Sequence, residues 1–156
     1  MPTTWWARCG RSSERKQESG HKDTKKKDKA RELANETDHS HRVIGMAIEV
    51  HRHLGPGLLE SAYEDCLCHE LSLAGIPHAR QVSLPVRYKG LDIGSAYRLD
   101  ILVDQVLIIE VKSVERLMTV HDAQLLTYLR LSGLRIGLLL NFNHAVLKDG
   151  IRRLTL

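Results

Sequence analysis

The stretch YRLDILVDQVLIIEVKSVE, residues 97–115, contains two apolar runs. Three charged side chains, Asp100, Glu110 and Lys112, interrupt these runs. The alternation of apolar residues favours two β-strands, at about residues 97–103 and 106–112. Glu110 and Lys112 are two residues apart, so in a strand they point to the same face of the sheet. The connection between the two strands decides where Asp100 lies relative to them.

The two possible kinds of connection give different registers. A two-residue turn would place Leu99 opposite Glu110 and Asp100 among apolar side chains, where an unpaired carboxylate is strongly unfavourable. A three-residue loop over residues 104–106, or a bulge near Asp100, would place Asp100 opposite Glu110 instead. We predict one of the latter two. The charges then share an open face, and the closed face contains Tyr97, Leu99, Ile101, Val103, Leu107, Ile109 and Val111.

In the predicted register, two carboxylates come close together. Directly opposed Cβ atoms lie about 4.5–5.5 Å apart, so Asp100 and Glu110 would repel each other unless a cation intervened. Mg²⁺, which prefers oxygen ligands and retained waters, is one such cation. The alternative is a salt-bridge cluster of Asp, Glu and Lys on a solvated sheet face. The pattern alone leaves both interpretations open.

Charge separates an N-terminal segment from the rest of the 156-residue chain. Residues 1–40 contain 10 Lys and Arg against 7 Asp and Glu, whereas residues 41–156 contain 13 against 12. The first segment is poor in Leu, Ile and Val, so it cannot bury enough surface to offset the entropy of ordering. We predict a basic tail, disordered or loosely helical, at residues 1–38 and one folded domain at residues 39–156.

The composition also bears on the location of the protein. No run of 18 apolar residues is present, and the N-terminus lacks the apolar core of a secretory signal. The three cysteines, Cys9, Cys66 and Cys68, are odd in number and have no framework spacing. We therefore expect a reduced, cytoplasmic protein without a membrane segment.

Periodicity predicts the remaining elements in the order α, α, β, β, β, α, β, β. A helix from about residue 40 precedes the break LGPG at residues 54–57, and a second helix places Leu59, Tyr63, Leu67 and Leu71 on one face. Strict alternation predicts a strand over residues 82–88, in which Pro85 indicates an edge or a bulge. A helix at 120–133, a fully buried strand at 134–142 and a short strand at 151–156 follow.

Several motifs occur together with the spacing D-x9-E-x-K of Asp100, Glu110 and Lys112. LGPGLLESAYEDCLCHEL contains Gly57, Glu60 and Tyr63 in the pattern G-x-x-E-x-x-Y, and AQLLTYL carries Gln124 and Tyr128 before LLLNF. From about residue 40 to 154 the chain resembles the GxxExxY protein family of the PD-(D/E)XK nuclease superfamily. One departure is that Leu99, not proline, precedes Asp100. The resemblance implies a restriction-endonuclease-like α/β fold, with a mixed central sheet flanked by helices and the core order α-β-β-β-α-β.

The resemblance also implies roles for individual residues. Asp100 and Glu110 are expected to bind the metal, Mg²⁺ or Mn²⁺, and Glu60 resembles the helix acid that some superfamily nucleases add to that site. Lys112 resembles the lysine that positions the attacking water and offsets phosphate charge. The implied activity is metal-dependent hydrolysis of phosphodiester bonds in DNA or RNA. The alternative is a catalytically silent nuclease-like fold that binds nucleic acid or another protein.

The other motif residues have structural interpretations beside the functional ones. Tyr63 is expected to be a core aromatic whose hydroxyl finds a partner, within a structural motif that includes Gly57. Gln124 and Tyr128 are four residues apart, so they share a helix face and either line the site or pack against the sheet. Five basic side chains near the predicted sheet either contact phosphates or form a solvated rim: Arg80, Arg87, Lys89, Arg98 and Arg116.

Overall fold

The structure, a computed structural model, describes residues 14–94 and 97–156. Its elements are, in chain order, α1 (Glu14–Leu54), α2 (Glu60–Leu73), β1 (His78–Leu84), β2 (Arg87–Tyr88), β3 (Leu91–Asp92), β4 (Tyr97–Val103), β5 (Leu107–Lys112), α3 (Thr119–Ser132), β6 (Ile136–Asn141) and β7 (Ile151–Thr155). A short 3-10 helix, Leu147–Gly150, precedes β7.

The predicted N-terminal tail overlaps the first helix. Residues 1–13 lie outside the described residues, and residues 14–38 belong to α1. The side chains from Thr24 to Arg31 are exposed. The chain divides into two compact units between Asn35 and Glu36. The assignment of residues 1–38 as a tail and 39–156 as a domain stays a prediction.

Five strands form one mixed sheet in the order β1-β4-β5-β6-β7. β5 and β6 are parallel, and the other neighbouring pairs are antiparallel. Parallel strands need a crossover connection, and α3 supplies it between β5 and β6. The predicted α/β class and the core order α-β-β-β-α-β are therefore confirmed.

Helices cover both faces of this sheet. One core joins apolar side chains of α1 and α2, including Val43 and Leu67, to sheet residues such as Ile109 and Leu138. A second core, on the opposite face, joins Leu125, Tyr128 and Leu129 of α3 to Leu102, Ile108 and Leu139. All six residues of β6 are buried, as the continuous apolar run at 134–142 predicts.

β4 and β5 pair in the register that we predicted for a three-residue loop. Val103 pairs with Leu107 and Ile101 with Ile109, so residues 104–106 connect the strands and Asp100 falls opposite Glu110. Two consecutive loop residues have left-handed backbones, with φ of 45° and 58°, and the Val106 N–H donates to the Val103 carbonyl at 3.0 Å. The prediction of this register is confirmed.

The expectation of an open face for the three charges is wrong. Glu110 is only 2% exposed, because α3 packs over the face that also carries Ile108. The alternation of β4 also reverses at Asp100. Leu99 packs in the α3 core although Ile101 packs in the α1–α2 core, so Leu99 does not share a face with Ile101 as predicted.

The reversal coincides with a distortion of the neighbouring strand. In the β1–β4 register Arg80 pairs with Ile101 and Val82 with Leu99, which places Gln81 opposite Asp100. Gln81 has a left-handed backbone, with φ of 53°. Residues without glycine's freedom rarely adopt that conformation, so the chain carries strain beside Asp100.

Two further predictions differ from the structure. The strand predicted at 82–88 ends at Leu84, since Pro85 provides no N–H for a ladder, and Arg87–Tyr88 pairs with Leu91–Asp92 in a separate two-stranded sheet. β1 does lie at the sheet edge, as Pro85 indicates. Leu59 is 77% exposed because it precedes α2 and does not share the buried face of that helix.

Candidate active site

Glu110 and Lys112 form an ion pair at the carboxyl end of β5. Two side chains that are two residues apart on a strand share a face but need not touch. Here they do, because the Lys112 Nζ donates to the Glu110 Oε1 at 2.8 Å. The other oxygen, Oε2, is buried and has no hydrogen-bond partner within the described residues. A buried oxygen without a partner is costly, so this atom marks a position where a cation would be stabilised.

Burial and like charge raise the pKa of Glu110 to about 7. Loss of hydration is the larger cause, and the neighbouring Asp100 carboxylate adds to it, while the Lys112 ammonium acts in the opposite direction. Burial alone would lower the pKa of Lys112, but its hydrogen bond to Glu110 and the surrounding carboxylates raise it above its ordinary value. Lys112 is therefore a cation at neutral pH.

Asp100 faces Glu110 across the strand pair. The Val111 N–H donates to its Oδ2 at 2.8 Å, in place of the ladder bond that a regular strand would form there. Burial raises the pKa of Asp100 to about 6 and outweighs the Val111 hydrogen bond, which lowers it; the charges of Glu64 and Glu60 also raise it. Asp100 therefore lies within electrostatic range of Glu60 and Glu64 as well as opposite Glu110.

Glu60 joins the first turn of α2 to the end of β5. Its Oε1 accepts a hydrogen bond from the Ser113 N–H at 3.1 Å, and the Ser113 Oγ donates to the Leu58 carbonyl at 2.7 Å. A surface cleft lined by Leu58, Leu59, Glu60, Ser61 and Ser113 lies at this junction. The G-x-x-E segment is thus attached to the residue that directly follows Lys112.

Tyr63 and Gly57 hold the loop before α2 in shape. The buried Tyr63 hydroxyl donates to the Gly55 carbonyl at 2.6 Å and accepts from the Leu58 N–H at 3.1 Å. Its ring stacks on Phe142 with centroids 4.3 Å apart. Gly57 has φ of 98°, a conformation open mainly to glycine. Both residues of the motif determine where α2, and with it Glu60, begins.

Gln124 and Tyr128 lie on the face of α3 that meets the site. The Gln124 Nε2 donates to the Tyr128 hydroxyl at 2.6 Å. Burial raises the pKa of Tyr128, the Gln124 hydrogen bond lowers it, and the Glu110 and Asp100 carboxylates raise it further. Tyr128 therefore both packs in the core and lies within electrostatic range of the carboxylates. Its ring also meets Tyr97 edge-on, with centroids 5.7 Å apart.

Sequence reasoning did not single out Asn141. This side chain is fully buried beside Lys112 in the parallel register of β5 and β6. Its Oδ1 accepts from the Val114 N–H at 3.0 Å, and its Nδ2 donates to the Val114 carbonyl at 2.8 Å. Asn141 thereby fixes the chain that leaves the site after Lys112. A polar amide within the apolar run LLLNF is the signal that could have identified it.

Sequence reasoning also did not single out Glu64. It lies one helical turn after Glu60 and is 5% exposed. Its Oε2 accepts from the Arg80 Nε and the Gln81 Nε2, each at 2.8 Å. Two consecutive residues of β1 reach the same carboxylate because the backbone of Gln81 is left-handed. Only the tertiary structure brings α2 and β1 together, so spacing within the sequence could not show this contact.

The donor set fits a hard divalent cation. Asp100, Glu110 and Glu60 each use one carboxylate oxygen for a protein donor, and the second oxygen of each lies outside these bonds. Carboxylate oxygens are the ligands that Mg²⁺ prefers. The side chains as they stand in residues 14–94 and 97–156 include no group of three or more His, Cys, Asp or Glu that could hold a metal ion, so Asp100, Glu110 and Glu60 would have to reorient to bind one together.

The comparison with known protein families agrees with this fold. The sequence model of the PD-(D/E)XK nuclease superfamily matches residues 37–154, and the chain belongs to that superfamily. Nucleases of this superfamily generally depend on a divalent metal ion. No curated protein and no solved structure matches the chain. The narrower GxxExxY assignment stays a prediction. Within the described residues, no helix is long and apolar enough to cross a membrane.

Proposed function

We propose that this protein hydrolyses phosphodiester bonds of DNA or RNA with the help of Mg²⁺ or Mn²⁺. The observation that carries the proposal is the buried Glu110–Lys112 pair with Asp100 directly opposite. Membership of the nuclease superfamily supports the reaction class. Burying several carboxylates with one ammonium costs more free energy of desolvation than their attraction returns. Such a cluster is therefore more typical of a functional site than of a group that only stabilises the fold.

Asp100 and Glu110, with Glu60, would hold the metal ion. When bound, the ion would neutralise charge on the phosphate and lower the pKa of a coordinated water. The protein side chains have separate tasks. The Val111 N–H orients Asp100, and the Ser113 N–H orients Glu60, through the hydrogen bonds described above. Such orientation places reacting groups in advance and lowers the entropic cost of the reaction.

Lys112 is the proposed catalytic cation. Within the described residues its Nζ donates to Glu110, and the ammonium has three N–H groups, so others are available to a water or a phosphoryl oxygen. A compact, positioned ammonium stabilises charge that develops in the transition state. We place Gln124 and Tyr128 in the wall of the site, where their linked polar atoms restrict how a substrate enters.

Cleavage assays test the proposed activity. Purified protein is incubated with labelled single- and double-stranded DNA and RNA, with Mg²⁺, with Mn²⁺ or with EDTA. We expect cleavage with metal only, and a loss of about 10²–10³-fold or more in Asp100→Asn, Glu110→Gln and Lys112→Met. Asp149→Asn, an exposed carboxylate in the 3-10 helix, is the matched control. Equal cleavage by Asp100→Asn and the wild type would refute the assignment.

Metal binding can be tested without any substrate. Because a ligand that binds only the native state stabilises it, Mg²⁺ at about 100 times its Kd should add ~2.7 kcal/mol to the free energy of unfolding. We expect this gain in the wild type and in Asp149→Asn, and little of it in Asp100→Asn or Glu110→Gln. If Mg²⁺ leaves the melting temperature of the wild type unchanged, the binding-module interpretation replaces the nuclease.

A further inference from the structure

A small hairpin beside the site exposes apolar side chains. β2 and β3 pair as Arg87 with Asp92 and Tyr88 with Leu91, and the two turn residues between them, Lys89 and Gly90, have left-handed backbones. More than half of the surface of each of three apolar side chains is exposed: Tyr88, Leu91 and Ile93. Exposed apolar side chains gathered on one short hairpin indicate a binding surface.

The hairpin lies next to the end of the ladder between β1 and β4. That ladder ends with Leu84 paired to Tyr97. Beyond it, the Ile93 N–H donates to the Val86 carbonyl at 2.9 Å, and the Val86 N–H donates to the Gly94 carbonyl at 3.2 Å. The hairpin therefore lies just before the start of β4, the strand that carries Asp100.

Tyr97 links this surface to the candidate active site. It is 42% exposed, and its ring meets the ring of Tyr128 edge-on at 5.7 Å. Tyr128 is the residue whose pKa the Glu110 and Asp100 carboxylates raise. Aromatic side chains thus lie at the hairpin turn, at its base and at the wall of the site.

The charge of the hairpin suits a polyanion. Residues 84–98 contain three cationic side chains, Arg87, Lys89 and Arg98, against the single carboxylate of Asp92. The Lys89 Nζ lies 5.4 Å from the centre of the Tyr88 ring, within the range of a cation–π interaction. An ammonium beside an exposed aromatic ring can bind a phosphate while the ring stacks on the attached base.

We propose that this surface, the hairpin platform formed by Tyr88, Lys89, Leu91 and Tyr97, binds single-stranded nucleic acid and guides it into the active site. Bases of a duplex are already stacked and paired, so only an unpaired base is free to stack on Tyr88. The inference rests on the proposed nuclease function and specifies its substrate as single-stranded. A second copy of this chain is the competing occupant of the same apolar surface.

Binding measured in EDTA tests the platform separately from cleavage. Fluorescence anisotropy with a labelled single-stranded DNA or RNA and with the matching duplex reports affinity while metal-dependent cleavage is suppressed. We expect tighter binding of the single strand. Tyr88→Ala should weaken it by about 5- to 100-fold, and Tyr88→Leu by a similar factor, because stacking needs an aromatic ring; Tyr88→Phe should bind like the wild type.

Matched controls separate stacking from general effects. Leu73→Ala removes another exposed apolar side chain, on α2, and should leave binding unchanged. Lys89→Ala should make the dependence of log affinity on log salt shallower by about 0.7, the value for one phosphate contact on a single strand, while the exposed Lys148→Ala should not. Circular-dichroism melts of each variant show that the fold is retained.

The outcomes distinguish the two proposals. Unchanged single-strand affinity in Tyr88→Ala overturns the platform, even if the protein cleaves nucleic acid. Loss of binding in Tyr88→Ala, in a protein that never cleaves, supports the platform and overturns the nuclease. Sedimentation of the wild type as a dimer that Tyr88→Ala converts to a monomer, without any effect on nucleic-acid binding, would assign the surface to self-association.

Discussion

At the scale of single residues, the burial of the Glu110 carboxylate is a large unfavourable contribution to the stability of the site. A carboxylate that is 2% exposed loses most of its hydration, and here the Lys112 ammonium donates a hydrogen bond to one of its oxygens. The cost appears as raised pKa values at Glu110 and at Asp100. A bound divalent cation would remove the repulsion between the two carboxylates and would be attracted by both of them, so the same charges that destabilise the metal-free site would stabilise the metal-bound one.

This cost predicts how stability depends on pH in the absence of metal. The pKa values of Asp100 and Glu110 rise from 3.8 and 4.5 to about 6 and about 7 in the folded state. At a pH between the unfolded-state and folded-state pKa values, the native protein binds protons that the unfolded chain has released. The stabilisation that these two carboxyl groups provide is therefore complete below about pH 4 and is lost as the pH rises through 6 and 7. We expect the wild type in EDTA to be less stable at pH 8 than at pH 5.

Glu110→Gln isolates the contribution of that carboxylate. Urea denaturation in EDTA gives the unfolding free energy at pH 5 and at pH 8. We expect the decrease between these two values to be smaller in Glu110→Gln than in the wild type, by on the order of 2–3 kcal/mol. Asp149→Asn, on the surface, should keep the wild-type difference. A Glu110→Gln curve parallel to that of the wild type would show that Glu110 titrates normally.

At the scale of secondary-structure elements, the site depends on how closely α2 and α3 approach the sheet. α2 is attached to the end of β5 through Glu60 and Ser113. α3 packs against β6 at Gly137, where an added Cβ would lie 2.7 Å from Leu125 Cδ1 and 2.9 Å from Leu125 Cγ. Leu125 is fully buried, so it cannot move aside without displacing its neighbours.

Gly137→Ala should therefore push α3 away from the sheet. We expect a loss of about 1–3 kcal/mol in unfolding free energy, the usual range for overpacking, together with reduced metal affinity, because α3 also buries Glu110. Chemical denaturation and Mg²⁺ titration measure the two effects.

Two further variants identify the cause of that loss. Gly137→Ala should cost less stability in a Leu125→Ala background than in the wild type, since the two side chains compete for one space. Gly45→Ala, in open space on α1, should instead stabilise the protein by up to about 1 kcal/mol. A Gly137→Ala protein as stable as the wild type would show that Leu125 yields easily.

At the scale of the whole molecule, the interactions that form the site belong to the second compact unit, Glu36–Leu156. The superfamily match begins at residue 37. Both apolar cores use residues from Val43 onward. The hydrogen bond between His39 and Asp104, at 2.9 Å, also lies within this unit.

A chain of residues 36–156 should therefore fold and act on its own. We expect an unfolding free energy within about 0.5 kcal/mol of the full chain, and unchanged Mg²⁺-dependent stabilisation, because the side chains from Thr24 to Arg31 are exposed and exposed positions contribute little. A chain that starts at Gly55 is the control. It lacks Val43, Ala47 and Val50, three buried core residues, and should not fold. A large loss of stability in residues 36–156 would place part of the domain upstream of residue 36.

Much of the sheet could be read from the sequence because strand patterns are local. The alternation of apolar side chains in β4 and β5 indicated either a three-residue loop or a bulge near Asp100, and the structure has the loop register, with Asp100 opposite Glu110. The order of elements followed from periodicity and from breakers such as LGPG at residues 54–57. The resemblance to the superfamily rested on motifs in those same segments, and the family comparison supports it.

Other features depended on contacts between distant segments. By itself, the sequence determined which side chains share a face of an undistorted strand, such as Glu110 and Lys112 on β5, because the two-residue period is a property of the regular backbone. Only the tertiary structure decided which faces are covered: α3 buries Glu110, and β4 reverses its alternation at Asp100 beside the left-handed Gln81. It also brought Glu64 and Asn141 to the site. Burial and charge interactions depend on what packs from elsewhere in the chain, and no local pattern records that.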